Sequence, residues 1–381
     1  MSTLKVNSIQ NATGTTAVTL DASGNATFAG TVVSNSSMGM RNRIINGDMR
    51  IDQRNAGASV TGNDNIFVVD RWKTRASQTS KMTAQQNAGS VTPPAGYKNY
   101  LGITSSSAYS VGASDYFWLA QLIEGFNTAD LNWGTANAQT VTLSFWVRSS
   151  LTGTFGGCLR DGNGGTAQYP FSYTISAANT WEQKTITVLG PTIGTWQTNS
   201  SASIEIVLSL GMGSTYSGTA GSWTASSVFA PTGATSVVGT NGATFYITGV
   251  QLEVGSTATP FERRMYGNEL ALCQRYYYLH VSGTAQFIGT GWMYDASNFA
   301  CSIHFPVTMR TTPTLSATSG TNYYSFDRNG GTDSFNSLTI TRPQTNCTSM
   351  YNNTEMSGTG GSAGMTFTNS ASAFIALQAE L

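Results

Sequence analysis

The sequence has few charged residues and no long hydrophobic run. Lysine, arginine, aspartate and glutamate make up 10% of its 381 residues, and 19 basic side chains balance 19 acidic ones. A chain without net charge lacks the field that attracts a phosphate backbone or an anionic membrane surface, so we expect no nucleic-acid partner. No stretch approaches the ~18 consecutive apolar residues of a membrane helix, so we expect no membrane insertion.

Cysteine and histidine are also scarce, which limits the possible site chemistry. The four cysteines include no CxxC pair, a pattern that argues against a disulfide scaffold or a zinc knuckle and predicts reduced, mostly buried thiols. The two histidines, His280 and His304, have no recognisable catalytic partners, and no pair of acids stands out for glycoside hydrolysis. We therefore expect no enzyme activity, no cofactor and no metal site. The first residues contain no apolar leader, which predicts folding in a cytosol.

Turn-forming and aromatic residues are abundant. The chain has 41 glycines, together with 8 Trp, 16 Tyr and 17 Phe that can fill several small cores. Many short strands joined by tight turns have this composition, so we predict an all-β fold. Residues 140–148 alternate strictly, and further strands are expected at 183–188, 202–210 and 244–254. The core-facing side chains of the first of these strands are then Val141, Leu143, Phe145 and Val147.

The pattern divides the chain into four segments. Residues 1–40 hold too few large apolar side chains to close a core, so Val18, Leu20, Phe28 and Val32 are expected to pack against other copies of the chain. Residues 41–264 are predicted to form a β-sandwich. An apolar stripe predicts a connecting helix over 265–275. Residues 276–381 are predicted to form a second β-sandwich, with the last strand inside a sheet.

Several short segments carry family resemblances. The segments NRIINGDM (42–49), VDRW (69–72), FWVR (145–148), TWEQK (180–184) and FYITGVQLE (245–253) resemble, in order, the conserved segments of jelly-roll carbohydrate-binding modules of the xylanase-associated type. Over nearly the whole chain, TLKVN (3–7), TPFERR (259–264), ELALCQRYY (269–277) and FPVTMRTTP (305–313) are similar to segments of phage tail fibres and receptor-binding proteins.

These resemblances imply a homotrimeric fibre of the virion tail. Residues 1–40 would attach to a tail or baseplate protein, the jelly roll would span 41–264, and residues 276–381 would recognise a host surface glycan during adsorption. Folding in the host bacterial cytoplasm and release by lysis would follow. The related modules often hold a structural calcium near a carboxylate after the Asn-Gly-Asp segment, but Arg50 follows Met49 here, so we do not expect that metal.

Candidate glycan-binding residues are aromatic side chains close to polar ones. Trp146 and Arg148 share the outer face of their predicted strand, where a ring can stack on a sugar and a guanidinium can bond its hydroxyls. In the C-terminal region aromatic residues stand beside glycine- and asparagine-rich turns, a mixture typical of recognition surfaces. These are Trp292, Tyr294, Tyr323 and Tyr324. For each of them a core position is the competing interpretation.

Two other functions remain open, a polysaccharide depolymerase with an active site between subunits and a decoration protein without a ligand. The loops at 161–165 and 327–331 look superficially like calcium loops. However, Ser172 stands where an EF-hand loop starting at Asp161 needs its final acid, so type I′ hairpin turns are the preferred interpretation.

Overall fold

The chain is described by a computed structural model that covers residues 6–10, 13–23, 26–28 and 40–381. It divides into two compact units, Met1–Arg41 and Asn42–Leu381. The described strands of the first unit form an antiparallel sheet of β1 (Ser8–Gln10), β2 (Thr16–Leu20) and β3 (Ala26–Phe28).

One face of this small sheet is apolar and only partly covered. Val18 lies opposite Ile9, and both Val18 and Leu20 are half-buried while Ile9 is 54% exposed. Three strands this short do not bury an apolar face by themselves. The side chain of Phe28 and the whole of Val32 lie outside the described residues.

The second unit begins with a β-sandwich. Its strands are β4 (Val60–Thr61), β5 (Ile66–Val69), β6 (Trp72–Ala76), β7 (Met82–Gln86), β8 (Leu101–Ser105), β9 (Tyr116–Glu124), β10 (Val141–Ser149), β11 (Gly153–Asp161), β12 (Gln168–Ile175), β13 (Glu182–Val188), β14 (Ala202–Met212), β15 (Ser217–Gly218), β16 (Ala230–Pro231) and β17 (Thr244–Val254). The first sheet has the order β13-β10-β17-β8-β7-β4, and the second has the order β12-β11-β14-β9-β6-β5. Four short 3₁₀ turns lie between strands, at Ala88–Ser90, Gly125–Asn127, Ala129–Leu131 and Ser214–Tyr216.

The sandwich core forms where the alternating strands of the two sheets face each other. Val141, Leu143, Phe145 and Val147 are all fully buried, which confirms the predicted core face of β10. Aromatic contacts join the layers, because Phe145 of the first sheet meets Tyr173 of the second at a ring-centroid distance of 5.1 Å. The strands predicted at 183–188, 202–210 and 244–254 are confirmed as β13, β14 and β17.

A short helix connects the sandwich to the C-terminal region. Helix α1 (Tyr266–Gln274) lies within the range predicted from the apolar stripe. Its Cys273 is buried in a cluster with Ile45 and Ile51 of the sandwich. The helix therefore packs on the sandwich as well as leading out of it.

The C-terminal region contains two further sheets. Its strands are β18 (Tyr277–Ser282), β19 (Phe287–Met293), β20 (Phe299–His304), β21 (Thr314–Ala317), β22 (Tyr324–Arg328), β23 (Gly331–Phe335), β24 (Thr339–Thr341), β25 (Cys347–Asn352), β26 (Ala363–Thr368) and β27 (Phe374–Gln378). One sheet has the order β18-β27-β21 and the other the order β23-β22-β26-β19-β20-β25-β24. The last strand lies in the middle of the first of these sheets, as predicted, and the core between them includes Phe299, Phe326 and Phe335.

The two loops predicted to be type I′ turns, at 161–165 and 327–331, have other conformations. The loop between β11 and β12 runs from Gly162 to Ala167, too long for the predicted two-residue turn. The loop between β22 and β23 has two central residues, but only Gly330 has a positive φ, of 98°, whereas type I′ requires a positive φ at both.

All four cysteines are free and three are buried, as predicted. No helix in the described ranges is long and apolar enough to cross a membrane.

Candidate functional site

A cleft of about 360 Å³ opens on the outer face of the second sandwich sheet. Four neighbouring strands, β6, β9, β14 and β11, contribute to it. We call it the sandwich cleft. It is lined by Arg75, Tyr116, Trp118, Leu122, Arg160, Gly162, Glu205, Tyr216 and Phe229.

Strand register brings distant residues together at the two ends of the sandwich cleft. Arg75 of β6 lies directly opposite Trp118 of β9. Four residues further along β9, Leu122 lies opposite Glu205 of β14, which in turn lies opposite Arg160 of β11. Directly opposed residues project from the same face of a sheet, so these five side chains share the outer face.

The floor between the two ends is made of smaller side chains. Ala120, Val207 and Cys158 lie in one cross-strand row. Burial raises the pKa of the Cys158 thiol far above its usual range, so the thiol stays neutral and the floor is apolar. The rings of Tyr216 and Phe229 stack at a centroid distance of 5.5 Å and form a side wall.

Several buried polar atoms in this region have no hydrogen-bond partner among the described residues. Besides the Arg160 Nε, they are the Trp118 Nε1, the Glu205 Oε1 and the Ser209 Oγ. The last three side chains are 3%, 4% and 2% exposed. Buried polar groups are normally paired, and each unpaired one costs about 1–3 kcal/mol. A donor and an acceptor that lack partners in one cleft match a polar ligand better than an apolar one.

Two guanidinium groups stand at the cleft and are only partly neutralised. The Arg160 Nε lies 3.5 Å from the Glu205 Oε2, and the guanidinium lies 4.6 Å from the Phe229 ring centroid. Arg75 donates to the Asp64 carboxylate at 2.7 Å. Burial alone would lower the pKa of Arg75, but the hydrogen bond and charge of Asp64 outweigh it, so the pKa is raised and the cation persists.

The combination of rings, one carboxylate and two guanidiniums suits hydroxyl-rich ligands. Aromatic rings offer apolar faces for a sugar ring, while charged and polar groups bond its hydroxyls. Among the residues that line the sandwich cleft, Glu205 is the single carboxylic acid. Glycoside hydrolysis commonly uses two carboxyl groups about 5–9.5 Å apart, and the lining of the cleft supplies one.

Trp146 and Arg148 lie on the other sheet of the sandwich. Trp146 is half-buried and lines a separate pocket of about 470 Å³ with Gln183 and Arg263. Arg148 is committed to structural contacts, because its Nε donates to the Asn179 carbonyl at 2.9 Å and its guanidinium packs over Tyr246. Trp146 is therefore accessible to a ligand, but the contacts of Arg148 prevent the two side chains from binding one ligand together.

The four C-terminal candidates separate into two kinds. Trp292 and Tyr294 are 40% and 79% exposed. Tyr324 is fully buried and its hydroxyl donates to the Thr318 carbonyl at 2.6 Å, so it is a core residue and leaves the candidate set. Tyr323 is half-buried and packs against the same core. Alternation along β22 directs Tyr324 toward the core. The glycine- and asparagine-rich turns beside it do not indicate which face of the strand this side chain occupies.

Trp292 and Tyr294 lie in an open groove of about 530 Å³ on the outer face of the seven-stranded sheet. We call it the C-terminal groove. Its floor is Ala300, which lies opposite Trp292 on one side and Tyr351 on the other. Sequence reasoning missed Tyr351 and Arg342, which also line it.

His280 is held by contacts within the C-terminal region. The His280 ring contacts the Tyr278 hydroxyl at 3.0 Å and the Ile288 carbonyl at 2.6 Å, and burial lowers its pKa. Across the described ranges no group of three His, Cys, Asp or Glu side chains is placed to hold a metal ion.

The sandwich cleft was also missed from the sequence. The available signal was the alternation in 116–124, which places Trp118 and Leu122 on one face. That pattern does not reveal that Arg75, Glu205 and Arg160 come to lie beside them, because successive strand pairings bring together residues as far apart in the chain as Arg75 and Glu205.

Comparisons with known proteins give no family assignment. No family model matches the sequence, and no curated protein matches it. Distant likenesses are found among solved structures. The enzymatically active domain of tailspike protein 4 from bacteriophage CBA120 is 12% identical over 56% of this chain and 22% of its own, with a TM-score of 0.32.

Two of the other solved structures are sugar-binding proteins by their descriptions. A putative sugar-binding protein from Bacteroides thetaiotaomicron is 13% identical over 56% of this chain and 100% of its own, with a TM-score of 0.34. The module TmCBM61, solved with β-1,4-galactotriose, is 12% identical over 56% of this chain and 99% of its own, with a TM-score of 0.29. At such TM-scores these likenesses carry no functional argument.

Proposed function

We propose that this protein binds a glycan without cleaving it and that the sandwich cleft is its binding site. The observation that carries the proposal is the pair of buried, unpartnered polar atoms of Trp118 and Glu205, two residues that line the cleft together with aromatic rings in the described sandwich. A sugar hydroxyl both donates and accepts, so one ligand can satisfy the indole N–H and the carboxylate oxygen together. The half-buried Tyr116 and Tyr216 supply ring surface for the apolar face of the sugar.

The proposal is tested by binding of the full chain to an array of immobilised bacterial surface polysaccharides, followed by titration with oligosaccharides of any hit. Trp118→Phe keeps a ring but removes the indole N–H, and Glu205→Gln keeps the shape but removes the charge. Each is expected to weaken binding about ten-fold, because one charge-assisted or buried hydrogen bond contributes about 1–2 kcal/mol.

The matched control is Trp133→Phe. Its indole N–H donates to the Gln139 carbonyl at 2.8 Å, away from the sandwich cleft, so this variant is expected to lose some stability and no affinity. Full affinity in both cleft variants would refute the assignment of the site. Release of reducing ends from a bound polysaccharide would refute the non-catalytic function and favour the depolymerase.

We further propose that the protein acts as a homotrimeric receptor-binding fibre of a phage tail. The sequence resemblance supports this role, and so does the partly open apolar face of Ile9, Val18 and Leu20. A parallel trimer would bury that face, attach to a tail or baseplate protein through residues 1–40, and reach the virion after folding in the bacterial cytoplasm and release by lysis.

Light scattering of the purified full chain tests the assembly. The expected mass is about 121 kDa, three times the 40.3 kDa of one chain. Val18→Asp is expected to dissociate the trimer, because the carboxylate would be buried in an apolar contact, whereas the exposed Thr19→Asp on the opposite face is the control. A wild-type monomer at micromolar concentration would contradict the trimer, and absence of the protein from purified virions would contradict the tail role.

A further inference from the structure

We propose that the C-terminal groove is a second saccharide site, distinct from the sandwich cleft, and that it selects acidic sugars through Arg342. The proposal depends on three features of the described C-terminal region. These are a pair of aromatic rings across a small floor residue, a carboxylate that is already occupied, and a cation without a partner. It stands independently of the sandwich cleft.

Two large aromatic side chains of the C-terminal groove, Trp292 and Tyr294, are exposed, and a third, Tyr351, is half-buried. Trp292 and Tyr351 project from the same face of the sheet on either side of Ala300, with one strand between them. Neighbouring strands are ~4.8 Å apart, so the two rings stand roughly 10 Å apart over a floor that Ala300 leaves low. Tyr294 extends this surface from the following turn and is 79% exposed. Such a surface accepts the apolar faces of sugar rings.

Asp295 is the acidic residue of the groove lining, and its carboxylate accepts hydrogen bonds from its own turn. The Asp295 carboxylate accepts hydrogen bonds from the backbone N–H groups of Ser297 and Asn298, both at 2.9 Å, and from the Asn298 side-chain amide at 2.5 Å. These bonds lower the pKa of Asp295, so it remains ionised and fixes the turn. Its carboxylate is therefore a structural group and not a partner for a cation in the groove.

Arg342 supplies the positive charge of the groove lining. It is exposed, and among the described residues no hydrogen bond, ion pair or ring contact involves its guanidinium. Its φ is 47°, in the left-handed region, and Pro343 follows it, a position where that conformation is disfavoured. Backbone conformations of this kind persist where the surrounding structure enforces them, frequently at ligand sites.

These features together define the ligand class. A guanidinium presents a planar set of donors that matches a carboxylate with two parallel hydrogen bonds. A neutral saccharide would stack on Trp292 and Tyr351 but leave Arg342 without a partner. A saccharide with a uronic or sialic acid unit would use both, so the groove is expected to prefer the acid.

The test compares acidic oligosaccharides with their own methyl esters, which keep the rings and lose the charge. A panel of trisaccharides that contain glucuronate, galacturonate or sialate units is titrated into the full chain. At least one acid is expected to bind about ten-fold more tightly than its ester, and the preference is expected to shrink as salt is raised. Arg342→Gln is expected to remove the preference and keep the ester affinity. Arg342→Lys, which keeps the charge, is expected to restore part of it.

Two control variants separate the groove from general effects. Lys98→Gln removes an exposed cation of the sandwich, and Tyr266→Ala removes an exposed ring outside the groove. Both are expected to bind as the wild type does. Trp118→Phe, a change in the sandwich cleft, is also expected to keep the preference for acids. The acid preference therefore tests the C-terminal groove alone, whether or not the sandwich cleft binds a glycan.

Three outcomes would overturn the proposal. One is that no acid in the panel binds. Another is that acid and ester bind equally in the wild type. The third is that Trp292→Ala changes the mass of the assembly instead of the affinity, which would make this face a contact between subunits.

Discussion

Removal of the Glu124 carboxylate tests how strongly the sandwich is attached to the C-terminal region. Glu124 is the last residue of β9, and its side chain is 1% exposed. It accepts two hydrogen bonds from the Arg275 guanidinium, at 2.9 and 2.5 Å. It also accepts the Tyr276 hydroxyl at 2.6 Å. Arg275 and Tyr276 lie between α1 and β18, so one carboxylate joins both parts.

The expected cost of Glu124→Ala follows from what it leaves behind. Tyr276 is fully buried, and burial raises the pKa of its hydroxyl, so the hydroxyl remains a neutral donor that cannot reach water. An unpaired group of this kind costs about 1–3 kcal/mol, and breaking a buried ion pair costs about 3–5 kcal/mol in total. The Arg275 side chain is 29% exposed and regains some hydration, which places the expected loss near the lower limit, ~3 kcal/mol.

The assay is urea unfolding of the full chain, followed by tryptophan fluorescence and by circular dichroism. Glu124→Gln keeps an acceptor for Tyr276 and is expected to lose less free energy of unfolding than Glu124→Ala. The control is Asp130→Ala, which breaks a 2.6 Å ion pair with Arg43 in which the Asp130 side chain is 57% exposed. Such pairs contribute less than about 1 kcal/mol. If Glu124→Ala costs no more than Asp130→Ala, the reasoning is refuted.

Three further predictions concern pH, packing and activity. Burial raises the pKa of Asp70 to about 7, with Gln53 hydrogen bonds opposing the rise, so the folded state holds a proton that the unfolded state releases near pH 4. The free energy of unfolding is therefore expected to fall as pH rises from about 4 to 7, and Asp70→Asn is expected to flatten that slope; an equal slope in the variant would contradict it. Tyr324→Ala is expected to cost about 3–5 kcal/mol in urea unfolding because the ring is fully buried, whereas Trp292→Ala, from a 40% exposed position, is expected to cost less than about 1 kcal/mol. Comparable losses in the two variants would contradict the assignment of Tyr324 to the core and Trp292 to the surface. Incubation of host capsule or lipopolysaccharide with the protein for hours is expected to release no reducing ends, and release that one Asp or Glu substitution abolishes would overturn the non-enzymatic proposal.

Much of the sandwich is predictable because its strands carry local alternation. In β10 every second residue from Val141 to Val147 is apolar, so the direction of each side chain follows from the pattern alone. Helix α1 is predicted from a weaker local signal, because Leu270 and Cys273 lie one turn apart and pack in the same cluster, whereas the other buried side chain of the helix is the acid Glu269. The division of the chain into four domains stays a prediction.

The C-terminal candidates show where local patterns stop being informative. Tyr323 and Tyr324 are neighbours in a turn-rich segment, and alternation buries one of them and leaves the other half-buried. The start of β22 decides which of the two faces the core. Trp292 lies at the surface of β19, while its chain neighbours Gly291 and Met293 are buried on the opposite face.

The sandwich cleft and the C-terminal groove depend on opposite physical conditions for binding. In the cleft the unpartnered atoms of Trp118 and Glu205 are already desolvated and held by four paired strands, so little order is lost when a ligand replaces the missing hydrogen bonds. In the groove the Trp292 ring and Arg342 are in water, so each contact replaces solvent and a single site is weak. When several weak sites bind one surface together, the overall affinity exceeds that of a single site by about 10²–10⁴-fold. If both sites bind saccharides as proposed, we expect the groove to require a trimer for tight adsorption and the cleft to bind a soluble oligosaccharide equally well in one chain.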